Sequence, residues 1–435
     1  MDANLKDAGG CPVVHGDESQ WLSASLTDPI IGAHPLDYYR AMRHNDPIHY
    51  DEKLGVYLIF RYDDIQQVQN DPITFSVQKG YSAQYAKGFF EEFKEILRRD
   101  GGGFFPDAIM SDPPYHTRIR RLMEGAFSAH RVKQLEPNIQ RHIVEVIEEI
   151  ADKGQADIAK EFAVPITIRV ICEQLGISQY DSDKISRWSQ AVTAQIGRMQ
   201  NREQMIANAK EICELQNYLI ARIRERQENQ TEDMISDLVH ARLDDPEHPT
   251  LTFEEVVSLV RALLIAGNDT TATAMTNLVF ILATQPGLAD QLYENVDDDR
   301  FVSRFVEELL RLEPPVRALS RMTTKEVEVG GKLLPEGAHL LLVYGSGNDD
   351  ESTFPCPRHF DMDRPNLGRH VAFGGGPHRC IGSSLARMEV KTAARELIKR
   401  IDNIKLTIPV EEIPYLPTVA THSIEKLPIT FTRRK

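Results

Sequence analysis

The chain has 435 residues, 41% of them hydrophobic, and carries 50 basic against 65 acidic side chains for a net charge of −15. That balance argues against nucleic acid or an anionic membrane as a partner. The length would allow roughly three domains, but no Gly/Ser linker, internal repeat or low-complexity block divides it. A single domain over residues 1–435 is therefore expected, large enough to bury an extensive core and enclose a bulky cofactor.

In chain order, residues 1–25 are polar and acidic, with no apolar stretch suited to a signal or a membrane span, and are expected to be a flexible segment. Pro47–Asp51 and Val56–Phe60 predict a small hairpin. Tyr62–Gln69 reads as a helix, ended by Asp71-Pro72. Lys79–Asp107 is rich in aromatic residues (Tyr81, Tyr85, Phe89, Phe90, Phe93, Phe104, Phe105) around Gly101-Gly102-Gly103. It fits either a surface helix with a loop or the cover of a pocket. In Asp112–Arg121, His116 and Arg120 share one helix face, while Arg118 and Arg121 point elsewhere. From Pro113 to Phe305 the pattern is almost entirely helical, as in Ile139–Ile150 and Gln204–Arg224.

Thr252-Phe-Glu-Glu255 is a capping box that opens an apolar helix running to Gln285, where Pro286 stops it. Such a helix spans ~50 Å. Its middle holds Ala266-Gly267-Asn268-Asp269-Thr270-Thr271, mostly poor helix formers placed where the helix should be strongest. A local rule broken in mid-element points to function. Thr270 could instead bond a preceding carbonyl, and Asp269 could be an ion-pair partner. Glu308 and Arg311 pair at i,i+3 among apolar neighbours, and Pro314-Pro315 closes that helix. Short strands follow at Val327–Val329 and His339–Val343, and the tail from Ile404 is strand-like, ending with Leu427–Phe431. The fold class is mainly α with small β-sheets (α+β), and not an alternating α/β protein.

The five cysteines (11, 172, 213, 356, 380) are odd in number and scattered, so they read as free thiols of a reducing compartment. Cys380 alone has a chemical setting. It lies in the glycine-rich turn Phe373-Gly-Gly-Gly-Pro-His-Arg-Cys-Ile-Gly382, just before an amphipathic helix from Ser383 to about Arg400. A helix start favours thiolate over thiol. No second Cys or His stands at zinc spacing, so a single sulfur presented to a metal in a macrocycle fits best.

Phe373, Gly376, His378, Cys380 and Gly382 match F-x-x-G-x-[HR]-x-C-x-G. Ala266–Thr271 matches [AG]-G-x-[DE]-T-[TS], Glu308-Leu-Leu-Arg311 matches E-x-x-R, and Pro357–Arg364 matches P-x-x-F-D-x-x-R. From about Pro35 to its C-terminus the chain resembles the cytochrome P450 family of heme-thiolate monooxygenases, in its soluble bacterial form. The resemblance implies the P450 fold, with a long central helix over heme b. It makes Cys380 the axial ligand of the heme iron, with Phe373, Gly376, Gly382, Ala266 and Gly267 shaping the heme site. His116, Arg120, Arg321 and His378 would meet the propionates. Thr270 and Asp269 would be catalytic, in oxygen activation and proton relay. Glu308, Arg311 and Arg364 would form a structural network holding the cysteine loop. Phe89, Phe90, Phe104, Phe105, Leu263, Ala318, Leu319, Val419 and Ala420 would wall an apolar pocket.

The implied activity is insertion of one atom of O2 into an apolar small molecule (terpenoid, steroid, fatty acid or aromatic). No nicotinamide, flavin or reductase segment is evident, so a ferredoxin and its ferredoxin reductase would supply electrons. Arg118, Arg121, Arg379 and Arg387 are candidates for docking that donor. A cytoplasmic monomer, bound neither to membrane nor to nucleic acid, is expected. Three rivals stay open: a peroxide-driven peroxygenase, a non-catalytic heme binder, and an α-helical interaction protein with chance motifs.

Overall fold

A computed structural model describes residues 18–84, 89–177, 182–196 and 201–434. Residues 1–17 of the N-terminal segment, Cys11 and Tyr85 lie outside the described residues. Early helices are α1 (Pro29–Ala33), α2 (Leu36–Asn45), α3 (Tyr62–Asn70), α4 (Val77–Gln84), α5 (Phe90–Asp100) and α6 (Tyr115–Glu124). The helical body contains α7 (Ala129–Ala151), α8 (Val164–Gln174), α9 (Ser182–Ile196), α10 (Arg202–Glu228), α11 (Met234–Val239) and α12 (Phe253–Thr284). It is completed by α13 (Leu288–Glu294), α14 (Asp299–Leu312), α15 (Tyr344–Asn348) and α16 (Ser383–Arg400).

The strands are β1 (Ile48–Asp51), β2 (Val56–Ile59), β3 (Phe75–Ser76), β4 (Gln155–Asp157), β5 (Ala318–Thr323), β6 (Val327–Val329), β7 (Lys332–Leu334), β8 (His339–Val343), β9 (Ile401–Leu406) and β10 (Pro428–Arg433). They form a sheet β1-β2-β8-β5-β3, a sheet β4-β10-β9 and the pair β6-β7. The expected hairpin is present, with Ile48 opposite Ile59 and Asp51 opposite Val56. β5 was not foreseen. It pairs with β8 and β3 inside the larger sheet and carries Arg321 opposite Leu340.

The capping box of α12 forms as the sequence predicts: the Thr252 side chain accepts from Glu255 N–H, and the Glu255 side chain accepts from Thr252 N–H. The two halves of this helix serve different cores. Val256–Ile265 pack with α8, α10 and α11, whereas Ala272–Leu282 pack with α7, α14 and α16. The motif 266–271 contributes to neither core, so its polar residues sit at the seam between them.

Lys79–Asp107 is more than a surface helix with a loose loop. α5 packs Phe93, Ile96 and Leu97 against Met205, Ala209, Ile212 and Cys213 of α10. Gln216 of α10 is fully buried; its Nε2 donates to the carbonyls of Gly101 (2.5 Å) and Gly103 (2.7 Å), and its Oε1 accepts from Arg261 of α12 (2.7 Å). Arg261 also donates to the Phe105 carbonyl (3.1 Å). This segment is thus latched to both α10 and α12.

Glu308, Arg311 and Arg364 come together as expected and are all buried. Arg311 donates twice to Glu308 (2.8 Å each), and Arg364 Nε donates to it at 3.0 Å. Arg364 also bonds the carbonyls of Cys356 and His359, and Arg311 bonds that of Asn348. Asn348 Oδ1 in turn accepts from Val371 N–H (2.7 Å), two residues before Phe373. Removing one member of a buried charge network strands its partner. Arg311→Leu is expected to cost about 3–5 kcal/mol in denaturant unfolding, whereas Arg187→Ala, at an exposed pair, should cost under about 1 kcal/mol.

Candidate heme and oxygen-activation site

Cys380 lies three residues before α16, in a turn closed by backbone bonds from Cys380 N–H to Phe373 O (2.9 Å) and from Arg379 N–H to Gly376 O (3.2 Å). Gly374 and Gly376 take φ of +64° and +59°, where glycine is favoured. Gly382, at φ −81°, has no such need; its role is its N–H, which bonds the sulfur. Burial pushes the Cys380 thiol up, while that N–H and the charges of Arg120, Arg387 and Arg379 draw it down.

Beside this loop α6 and β5 bring in the other expected groups. The His116 and His378 rings lie 3.9 Å apart between centroids. Burial and the Arg120 charge lower His116; burial, His116 and the charges of Arg321 and Arg120 hold His378 down to about 3. Both imidazoles are therefore neutral near pH 7 and act as hydrogen-bonding groups. Arg120 Nη1 donates to the Arg379 carbonyl (2.6 Å), and Arg321 Nη1 donates to the Ser320 carbonyl (2.7 Å). Among the described residues neither arginine meets a carboxylate in an ion pair. Buried His116 Nδ1 and His378 Nε2 also have no hydrogen-bond partner.

On α12 the Thr270 hydroxyl donates to the Ala266 carbonyl (2.8 Å). Asp269 turns toward α9, where it accepts from Ser189 Oγ (2.7 Å) and Thr193 Oγ1. Among the described residues it is held by hydroxyls and not by a cation, so no ion pair is seen there. Burial pushes its carboxyl up, against the pull of those hydroxyls. Ala266 is exposed along the motif, whereas a side chain at Gly267 would meet Ile171 Cδ1 of α8 at 3.4 Å. Gly267 therefore does not share the open face expected of it: one residue's rotation turns it into helix–helix packing.

The candidate wall residues fall in several clusters. Phe90 and Phe104 pack at the α5–α10 contact, Phe105 and Leu263 belong to the α8–α10–α12 core, and Leu319 lies on β5 of the larger sheet, opposite Leu342. Ala318 and Val419 pack with Leu26, Ile31 and Tyr38, Phe89 is exposed, and the Ala420 carbonyl accepts from Arg317 N–H (2.8 Å).

The cytochrome P450 family model matches residues 106–406. The chain belongs to the cytochrome P450 family. It is 32% identical to cyclomarin C epoxidase CymV of Salinispora arenicola, over 86% of this chain and 91% of that one. With 6-deoxyerythronolide B hydroxylase of Saccharopolyspora erythraea it shares 29% identity over 91% of this chain and 96% of the relative. The solved structure of CYP109Q5 from Chondromyces apiculatus superposes with a TM-score of 0.81 at 29% identity, covering 94% of this chain and 98% of that one. This P450 is a heme-binding monooxygenase. Chance motifs and a non-catalytic heme binder are thereby set aside. Among the described residues no helix is long and apolar enough to cross a membrane.

The side chains fit heme b. Its two propionates are the anions that Arg120 and Arg321 lack, and the orphaned nitrogens of His116 and His378 suit carboxylate oxygens.

One group around the loop carried no sequence signal. Glu307 accepts from Arg387 Nε (2.5 Å) and Nη2 (2.9 Å) and bonds His370 Nε2 (2.9 Å). The Arg387 guanidinium then lies 4.3 Å from the centre of the Phe373 ring. Burial opposes the Glu307 charge, but its bonds to His370 and Arg387 prevail and hold the carboxyl down to about 2, from 4.5. A depressed folded-state value stabilises above the unfolded one and is lost as pH falls. Glu307→Gln should cost about 2–3 kcal/mol at pH 7, and the deficit should shrink between pH 4.5 and about 2 when unfolding is followed against pH.

Proposed function

We propose that this P450 inserts one oxygen atom from O2 into an apolar small molecule, with Cys380 as the axial ligand and Asp269 and Thr270 handling protons. The observation that carries the reading is the lone Cys380 sulfur in its closed turn, with Arg120 and, beside the loop, Arg321, neither of which meets a carboxylate among the described residues. Arg120 and Arg321 would bind the propionates as charges, and His116 and His378 as neutral donors. Heme, once bound, supplies the electron transfer and O2 chemistry that oxidise an unactivated C–H or C=C bond.

The chain's own contribution is orientation and proton handling. Thr270 Oγ1 holds its proton against the Ala266 carbonyl, and rotation about χ1 frees it to donate across the open face. Asp269, with its carboxyl raised by burial, accepts a proton more readily than a surface aspartate and is held in place by Ser189 and Thr193. The latch from Gln216 and Arg261 to residues 101–105 keeps the cover shut, which favours exclusion of water.

An apolar substrate of the terpenoid, steroid, fatty-acid or aromatic class follows from the family resemblance and the apolar character of the nine candidate residues, which the structure distributes over several clusters. One relative is named as a hydroxylase and another as an epoxidase, so either outcome suits this reading. We assign electron supply to a ferredoxin and its reductase. Arg118 is engaged inward by Glu255 and the Thr250 carbonyl, and Arg387 by Glu307. Arg121 and Arg379 therefore remain the better docking candidates. We take the protein to be a cytoplasmic monomer of one domain over 1–435; the thiols of Cys172, Cys213 and Cys356, none of them in a disulfide, suit a reducing compartment.

The dithionite-reduced protein should give, with carbon monoxide, the strongly red-shifted Soret band of thiolate ligation, and Cys380→Ser should lose it. Folded, heme-loaded protein without that band would remove the basis of the assignment. Thr270→Ala should keep the band while product per NADH falls about tenfold or more and peroxide release rises. Equal turnover with peroxide alone would identify a peroxygenase instead.

A further inference from the structure

Gly375 has no conformational need to be glycine. Its φ of −158° and ψ of −178° are ordinary extended backbone, unlike the left-handed glycines on either side of it. A side chain there would meet the amide end of Gln69 of α3, which would have to give way. A Cβ at position 375 would overlap Gln69 Nε2 and lie 2.6 Å from Cδ and 2.9 Å from Oε1. At Gly376 it would run into the Gln69 carbonyl oxygen, with Asn70 Oδ1 at 3.1 Å. The end of α3 is therefore pressed against two successive residues of the turn that carries Cys380.

Gln69 is only 1% exposed, and neither of its amide atoms has a hydrogen-bond partner among the described residues. Burying an unpaired amide is unfavourable, and a buried group left so calls for a reason. A leucine of similar size would fill the same space without that cost. Space-filling alone therefore does not account for a glutamine here.

The base beneath it is firm. Tyr62 N–H donates to Asp350 Oδ2 (2.9 Å), the Tyr62 hydroxyl donates to the Arg369 carbonyl (2.8 Å), and Ile65 lies where a side chain at Gly347 would have to go. The turn above it is closed by its two backbone hydrogen bonds. A displacement at Gly375 or Gly376 is therefore passed on to Cys380.

We propose that Gln69 is a positioning residue for the cysteine ligand: its buried amide, seated on Gly375, fixes the path of the Gly374–Gly376 turn and thereby the placement of the Cys380 sulfur. This rests on the reading of Cys380 as axial ligand. The amide dipole remains beside the ligand segment, so the contact sets both the shape and the local polarity of the turn.

The test uses full-length, heme-loaded protein, with heme content measured separately, in four forms: parent, Gln69→Leu, Gly375→Ala, and Gln69→Ala combined with Gly375→Ala. The readouts are the lifetime of the red-shifted carbon monoxide band and the heme reduction potential. Gly375→Ala should lose the band about tenfold faster than the parent, equivalent to about 1.4 kcal/mol on the barrier. The double variant should recover most of that loss, because truncating Gln69 clears the space the new methyl needs. Gln69→Leu should keep its heme and melt no lower than the parent, yet shift the reduction potential and shorten the band's life.

A Gly375→Ala protein that behaves like the parent would overturn the proposal, as would a double variant no better than Gly375→Ala. Gln69→Leu indistinguishable from the parent in potential and band lifetime would reduce Gln69 to packing and also overturn it. If Gly375→Ala does not fold, recovery of folded, banded protein in the double variant, together with Gln69→Leu, decides the matter. A parent protein with no red-shifted band would defeat the Cys380 assignment itself; a parent with the band and unaffected variants would defeat only the role of Gln69.

Discussion

Desolvation opposes charge, and this protein's chemistry calls for a charged sulfur. Cys380 is pushed toward the neutral thiol by its surroundings and drawn back by one backbone N–H and three arginines. Those arginines also have geometric duties. Arg120 bonds the carbonyl of Arg379, and Arg387 is clamped by Glu307 while it covers Phe373. The shape of the ligand loop and its electrostatics thus depend on the same side chains. Helix α14 anchors much of this, because its neighbouring residues Glu307 and Glu308 serve two networks. Glu307 holds Arg387 and His370, and Glu308 holds Arg311 and Arg364.

The same logic of placement applies to α12. A long apolar helix resists polar residues in its middle, where a core would have to bury them. Here the middle belongs to no core: one apolar cluster ends at Ile265 and the next begins at Ala272. Within that seam the hydroxyls of Thr270 and Thr273 return to carbonyls four residues back, so the helix keeps them satisfied locally. Asn268 and Asp269 are the exceptions: Asn268 bonds Thr167 of α8 and Ser189 of α9, and the partners of Asp269 in other helices, Ser189 and Thr193, come from α9. The orientation of the proposed proton carrier therefore depends on how α9 sits over α12.

Features encoded by neighbouring residues were legible in the sequence. The β1–β2 hairpin, the capping box at Thr252, the helix after Cys380 and the Glu308–Arg311 pair all follow from spacings of a few residues. β3, β4 and β5 were not read, because two- to six-residue strands are defined by partners far away in the chain. Glu307, His370 and Arg387 converge from three segments, and Gln69 reaches the loop from more than 300 residues upstream. No spacing rule could find them. Gly267 shows the converse failure: a motif position suggested an open face, but helix rotation turned it toward Ile171.

The electrostatics around the loop also explain why cofactor and fold belong together. Arg321 is buried on β5, where its guanidinium meets the Ser320 carbonyl and the Tyr344 hydroxyl, and half-buried Arg120 on α6 meets the Arg379 carbonyl, all neutral partners. A buried cation without an anion is costly, and buried Arg321 with half-buried Arg120, beside orphaned imidazole nitrogens, make a site that a ligand from outside the chain would complete. In the proposed reading a dicarboxylate macrocycle would supply the missing charge at both arginines, and any ligand bound by the folded state alone adds its binding energy to stability. The shape-giving network at Glu308 needs no such completion, because its charges are paired within the protein. The scaffold that holds the loop is therefore self-sufficient, and the charge balance inside it is left open for the heme to close.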